Sequence, residues 1–117
     1  MGDLFGQCPH VTTQKIFAGK WAILVFYKLV EKPYRFGELQ RNVPGISQPA
    51  LTKQLRIFES LNMIKRKVYR EIPPKVEYSL TELGEKALSV MSELELFGNI
   101  YIEYLKEHDI VGMLDDD

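Results

Sequence analysis

The sequence predicts a mainly α-helical domain carrying one small β-hairpin. Three observations support this. Apolar residues recur every three or four positions over most of the chain, as they do on helix faces. Ile64 to Arg70 and Lys75 to Leu80 alternate as strands do, with Val76, Tyr78 and Leu80 on one face. Between them lies Glu71-Ile72-Pro73-Pro74, whose prolines cannot donate to a ladder and so mark a hairpin tip.

The elements follow in chain order. Thr12 or Thr13 caps a first helix that runs toward Gly19 and carries Ile16 and Phe17. Lys20 to Glu31 forms a second helix, apolar almost all round and therefore central. Lys32-Pro33 ends it, because proline disfavours helical geometry at the residue before it. A short third helix from about Arg35 to Asn42 buries Phe36 and Leu39. Val43-Pro44-Gly45-Ile46 is a sharp turn, after which Ser47 caps a fourth helix with Pro49 in its first turn. That helix buries Leu51, Leu55 and Phe58 and runs to about Leu61, where Asn62 provides a left-handed stop. After the hairpin, Thr81 caps a last long helix over about residues 81–107, with Glu82 and Glu85 at its positive end. Gly98-Asn99 is the place where it would kink or break.

A short helix, a turn containing glycine and a second helix make a helix-turn-helix, and a hairpin directly after it makes the winged variant. The 117 residues suit one domain over 1–117, with the last helix as its dimerisation element. An apolar fraction of 45% and a charged fraction of 26% exclude a disordered or collagen-like chain. The apolar run Trp21 to Tyr27 is too short to span a bilayer, which needs about 18 residues. No secretory start is evident, and the single Cys8 cannot form an internal disulfide, so a cytoplasmic location and no membrane contact are expected.

Charge is divided along the chain. Residues 14–75 hold thirteen basic side chains against four acidic ones, and residues 76–117 hold two against eleven. These segments carry net charges of +9 and −9, hidden in an overall charge of −1. Such asymmetry hints at a nucleic-acid surface, although two solvated faces of one domain would give the same arithmetic.

The basic segment contains the helix-turn-helix and its wing. On the fourth helix the residues outside the buried stripe are Gln48, Thr52, Lys53, Arg56 and Glu59. Near its start Ser47, Gln48, Pro49, Thr52 and Lys53 are the candidate base readers, since recognition helices reach base edges with their N-terminal residues. Gln pairs with adenine, Lys or Arg with guanine, and an apolar group meets a thymine methyl. Arg56 reaches a base or a phosphate one turn further on. In the wing Lys67, Arg70 and Lys75, and before the turn Arg35, are candidate DNA contacts, while Lys65 and Arg66 stay open. An edge strand defended by lysines is the plain alternative for the wing.

The last helix spaces Leu83, Ala87, Val90, Leu94, Phe97, Tyr101 and Tyr104 as a heptad seam. A homodimer through that seam is favoured over packing on its own domain, with the acidic residues kept from DNA. Cys8, next to Pro9 at the start of the first helix, is a candidate reactive thiol, though a lone cysteine is more often inert. Tyr27, Phe97, Tyr101 and Tyr104 could instead line a pocket for a small effector. His10 and His108 lack companion ligands, so no metal or other cofactor is expected, and no nucleophile–base set or phosphate loop suggests an enzyme. A winged-helix module that binds only proteins is the alternative function.

Cys8-Pro9, Gly19-Lys20-Trp21, Arg35-Phe36-Gly37-Glu38-Leu39, Gly45-Ile46-Ser47, Leu51-Thr52-Lys53-Gln54-Leu55-Arg56 and the run Pro73 to Thr81 stand in one order and at one set of distances. From about Cys8 to Phe97 the chain resembles the HxlR family of winged helix-turn-helix regulators, which are similar to the MarR type. The resemblance implies a cytoplasmic prokaryotic homodimer, joined through its first helix (Ile16, Phe17) and its last. It further implies a transcription regulator, usually a repressor, that binds a palindromic operator in double-stranded DNA. In several members the N-terminal cysteine senses oxidants or electrophiles, which strengthens the case for Cys8. Ile57, Asn62 and Phe97 depart from the family pattern and Pro49 is atypical, so the operator sequence is not carried over.

Overall fold

The structure is a computed structural model that describes residues 4–108. In chain order the elements are α1 (Pro9–Ile16), α2 (Ala22–Glu31), β1 (Tyr34–Arg35), α3 (Phe36–Asn42), α4 (Gln48–Ser60), β2 (Ile64–Tyr69), β3 (Lys75–Leu80), α5 (Glu82–Glu85) and α6 (Leu88–His108). The chain divides into two compact units, Met1–Lys86 and Ala87–Asp117.

The first unit holds α1 to α5 and a three-stranded antiparallel sheet of order β1-β3-β2. Helix α1 starts earlier than its hydroxyl residues suggest. Pro9 sits in its first turn, where a missing N–H costs nothing, and Cys8 is the N-cap residue. Thr12 does not cap; its hydroxyl oxygen accepts the Gly6 N–H at 2.8 Å. Helix α2 buries Ala22, Val25, Phe26 and Leu29 at helical spacing, but Ile23 and Leu24 are exposed. It is therefore amphipathic and not buried all round, because only one stripe meets the rest of the unit. Phe26 meets Phe17 at 5.2 Å and Phe58 at 5.4 Å between ring centroids, in the edge-on geometry that aromatic pairs prefer. These three rings join the end of α1, α2 and α4 into the core.

Strand β1 is the element that pattern reading misses. Pro33 holds the chain extended after α2, and Tyr34 and Arg35 then pair with Tyr78 and Glu77 of β3. Tyr34 is buried, and its hydroxyl donates to Glu31 at 3.0 Å. Phe36, expected in the core, is half-buried, while Leu39 is fully buried.

The turn before α4 is built as its residues dictate. Gly45 takes φ +87°, a conformation that L side chains rarely adopt. The Ser47 hydroxyl accepts the Ala50 N–H at 3.1 Å and so caps α4. At the other end Asn62 lies at φ 60°, Asn62 N–H donates to Glu59 and Met63 N–H donates to Phe58, each at 2.9 Å. These two bonds form a Schellman closure, with asparagine where glycine is commonest.

The hairpin register runs from Ile64 opposite Leu80 to Tyr69 opposite Lys75. Burial does not alternate along it as expected: β3 is half-buried throughout, and β2 is mostly exposed beyond its buried first residue, Ile64. The hairpin therefore projects from the unit, as a wing does.

The expected last helix over residues 81–107 is two elements. Thr81 accepts the Gly84 N–H at 2.9 Å and caps α5, which ends at Glu85. Lys86 N–H turns back onto Leu83 at 3.1 Å, and α6 begins only at Leu88. Gly84 carries no side chain because a Cβ there would collide with the carbonyl oxygen of Met63, just before β2. Leu83 thus lies on a separate short helix, Ala87 lies between helices, and the regular seam starts at Val90. In the second unit α6 runs through Gly98-Asn99 without interruption; one glycine costs about 1 kcal/mol, which the flanking helix formers offset.

Candidate nucleic-acid interface

The inward stripe of α4 determines what faces outward. Leu51, Leu55 and Phe58 are buried as expected, and Gln54 is buried with them, which its polarity conceals in the sequence. The outward face is a shallow hollow lined by Gln48, Pro49, Thr52, Lys53, Arg56, Ile57 and Ser60, one turn apart along two helical rows. Lys53 and Arg56 are exposed and enter no ion pair among the described residues. Pro49 and Ile57 supply apolar surface beside them. Ile57 was not in the expected set; its exposure follows from lying four positions after Lys53 and opposite the buried stripe. Glu59, in contrast, is turned toward Arg66, with Nε 3.7 Å from its carboxylate. This takes the one acidic residue of the expected face away from the hollow.

Upstream, Arg35 is the exposed N-cap residue of α3, and its backbone N–H donates to Glu38 Oε1 at 3.0 Å. That bond, together with the cations Lys32, Arg35 and Arg41, holds the Glu38 carboxyl below the usual carboxylate range.

In the wing, strand register places Lys67, Tyr69, Lys75 and Glu77 on one face. The ammonium groups of Lys67 and Lys75 lie 4.8 and 4.7 Å from the Tyr69 ring centroid. The Tyr69 hydroxyl donates to Glu77 at 2.9 Å, and Lys75 stands 4.0 Å from the same carboxylate. That hydrogen bond, with burial and the Glu77 charge, pushes the phenol above its ordinary value. Lys67 remains exposed, Lys75 is half-buried in this cluster, and Arg70 is exposed just past the end of β2.

Cys8 is half-buried at the N-cap of α1, with its carbonyl accepting Thr12 N–H at 2.9 Å. Of the residues expected at a dimer interface, Phe17 packs into its own chain's core and Ile16 is half-buried. On α6, Val90, Leu94, Phe97, Tyr101 and Tyr104 are all exposed, Phe97 by 64%. The rings of Phe97, Tyr101 and Tyr104 stand 6.0 and 5.4 Å apart in sequence along the helix. Tyr27 is half-buried on α2. Among the described residues no group of three His, Cys, Asp or Glu side chains could hold a metal ion. Nor is any described helix long and apolar enough to cross a membrane.

The geometry up to this point is that of a helix-turn-helix followed by a wing, and comparison with known families agrees. The model of the HxlR-like helix-turn-helix family matches residues 16–106. The chain belongs to that family. It is a transcriptional regulator with a helix-turn-helix domain, and the family is one of regulators rather than enzymes. The chain is 43% identical over 97 residues to the uncharacterized HTH-type transcriptional regulator YkvN of Bacillus subtilis, covering 83% of this chain and 82% of that protein. Among solved structures it is similar to a MarR-family transcriptional regulator of Porphyromonas gingivalis W83, at a TM-score of 0.74 and 44% identity over 79% of this chain and 90% of that one. It is also similar to the redox regulator HypR in its reduced form, at a TM-score of 0.80 and 36% identity over 86% of this chain and 99% of that one. The winged, MarR-like fold expected from the resemblance is the fold observed.

Proposed function

We propose that this HxlR-like protein is a homodimer that binds a palindromic operator in double-stranded DNA and acts as a repressor in the cytoplasm. The observation that carries the reading is the outward face of α4: two cations without an ion pair among the described residues, an amide, hydroxyls and apolar groups on a helix whose start is fixed by the Ser47 cap. Ser47, Gln48, Pro49, Thr52, Lys53 and Arg56 meet base edges in the major groove, with Ile57 beside them. Arg35, Lys67, Arg70 and Lys75 neutralise phosphates, giving affinity without sequence preference. The chain acts as one domain with α6 as its dimerisation helix, using Val90, Leu94, Phe97, Tyr101 and Tyr104, and Ile16, Leu83 and Ala87 contribute to the dimer from outside α6. A two-fold dimer then presents two recognition helices about 34 Å apart, one turn of DNA.

Release from DNA follows modification of Cys8. The likeness to HypR, a redox regulator by name, supports this reading, as does the position of Cys8 at a helix start. With one cysteine per chain, oxidation joins two subunits or caps the thiol with a small one. The test is selection of genomic fragments by the protein over a salt series, with solution mass measured alongside. The expected result is a retained fragment with a two-fold repeat, bound by a dimer with steep salt dependence. Arg70→Ala should weaken every duplex alike and reduce the salt slope by about 0.9. A monomer at micromolar concentration, or no salt-dependent retention of any fragment, would overturn the reading in favour of a protein-binding module. A Cys8→Ser variant that still releases DNA on oxidant treatment would move the sensor to a small-effector site.

A further inference from the structure

The tip of the wing carries a feature that phosphate contact does not use. Residues 70–74 are all exposed, and Ile72 is fully so. Pro73 and Pro74 follow it, and Val68 is 59% exposed on the adjoining strand. Two prolines in succession remove two backbone N–H donors, the groups with which a hairpin tip ordinarily holds a phosphate. What remains at the extremity is a small apolar surface. It is also stiffly mounted. Proline fixes its own φ, Glu71 N–H donates back to Tyr69 at 3.0 Å, and Tyr69 is held between Lys67 and Lys75 with its hydroxyl on Glu77. Arg70, Lys67 and Lys75 surround this tip with positive charge, against the single exposed carboxylate of Glu71 and that of Glu77, which is taken up by Tyr69 and Lys75.

We propose that the Ile72-Pro73-Pro74 tip is an apolar wedge that enters the minor groove of the bound duplex, presses Ile72 against a base-pair step and bends the DNA. Apolar side chains on a basic, rigid projection suit that role, because partial unstacking of a step is repaid by the wider contact that a bent duplex makes. Charge complementarity selects DNA as the occupant over an apolar protein surface: the cations that ring the tip attract phosphates on both sides of a narrow groove. Steps that unstack easily, pyrimidine followed by purine, are the preferred target. Glu71 opposes entry, so Glu71→Gln should strengthen binding.

This inference rests on the DNA-binding reading, and the experiment separates the two. The probe is a duplex of the selected genomic fragment carrying 2-aminopurine at successive positions flanking each half-site, with end labels that report bending by energy transfer. Wild-type protein should brighten 2-aminopurine at one flanking step per half-site and shorten the end-to-end distance. Ile72→Ser, with unchanged thermal melting, should abolish both signals and weaken binding about tenfold with an unchanged salt slope. Ile72→Leu should restore them. If wild-type protein binds the duplex but leaves it straight and stacked, or if Ile72→Ser bends it equally, the wedge is overturned while DNA binding stands. If wild-type protein binds no duplex at all, both readings fall together.

Discussion

Replacing Gly84 by alanine is the most demanding test of how the wing is mounted on the helices. A Cβ at this position would collide with the carbonyl oxygen of Met63 and would lie 3.2 Å from its carbonyl carbon and 3.5 Å from the Leu80 Cβ. The obstacle is backbone, and it is not free to move. Met63 O accepts the Thr81 N–H at 3.1 Å, and Met63 N–H closes the end of α4 at 2.9 Å. Overpacking at such a site costs about 1–3 kcal/mol, and the obstruction by main chain places this case at the upper end. Alanine's helix preference returns less than about 1 kcal/mol in a four-residue helix. The net expectation is a loss of about 2 kcal/mol, or a fall in Tm of roughly 8 °C for a domain of this size. Urea and thermal unfolding followed by circular dichroism and by the single Trp21 measure it. The same substitution at Gly98 is the counterpart. A Cβ there meets nothing within 4 Å, so Gly98→Ala should gain about 1 kcal/mol in the interior of α6. A Gly84→Ala protein as stable as wild type would refute the close approach of α5 to Met63. A destabilised Gly98→Ala would refute the open space around that residue.

Further outcomes follow from the caps and from one titrating group. Ser47→Ala should cost about 1 kcal/mol through loss of the bond to Ala50 N–H, measured by urea unfolding, whereas Ser47→Asp should keep most of it. Glu38 has a lowered carboxyl pKa because it accepts the Arg35 N–H and faces cations, so its contribution to stability is full above the unfolded glutamate value and disappears as pH falls through the folded one. Glu38→Gln should therefore flatten the loss of stability with acidification over that range, and a variant with the wild-type slope would contradict the assignment.

The helix-turn-helix was legible because its residues punctuate strongly. Gly45 must sit at positive φ, Ser47 must cap, and Asn62 tolerates the left-handed stop, so each end of α4 is marked by a backbone requirement rather than by hydrophobic pattern alone. The outward positions of α4 then follow from subtracting its buried stripe. Several features lay outside this reasoning. Two residues cannot show an alternation, so β1 was invisible until Tyr34 and Arg35 were seen against β3. The break between α5 and α6 has no proline to announce it, and Gly84 reads in sequence as a mild helix weakness instead of a close approach. The burial of Gln54 and the exposure of Ile57 reverse what polarity suggests, because position on the α4 surface decides both. The sequence singles out Lys67, Arg70 and Lys75 in the wing but not what each of them touches. The strand register ties Lys67 and Lys75 to Tyr69 and leaves Arg70 unpaired among the described residues.

Division of labour between α4 and the wing is the centre of the functional account. It is tested most directly by the ratio of affinities for the selected fragment and a scrambled duplex at one salt concentration, in wild type, Lys53→Ala, Arg56→Ala and Arg70→Ala. A lost base contact costs about 1–3 kcal/mol, so at least one of Lys53→Ala and Arg56→Ala should reduce that ratio by roughly 5- to 150-fold, while Arg70→Ala leaves it unchanged. Equal losses on both duplexes for Lys53→Ala and for Arg56→Ala would contradict the claim that this helix face reads sequence.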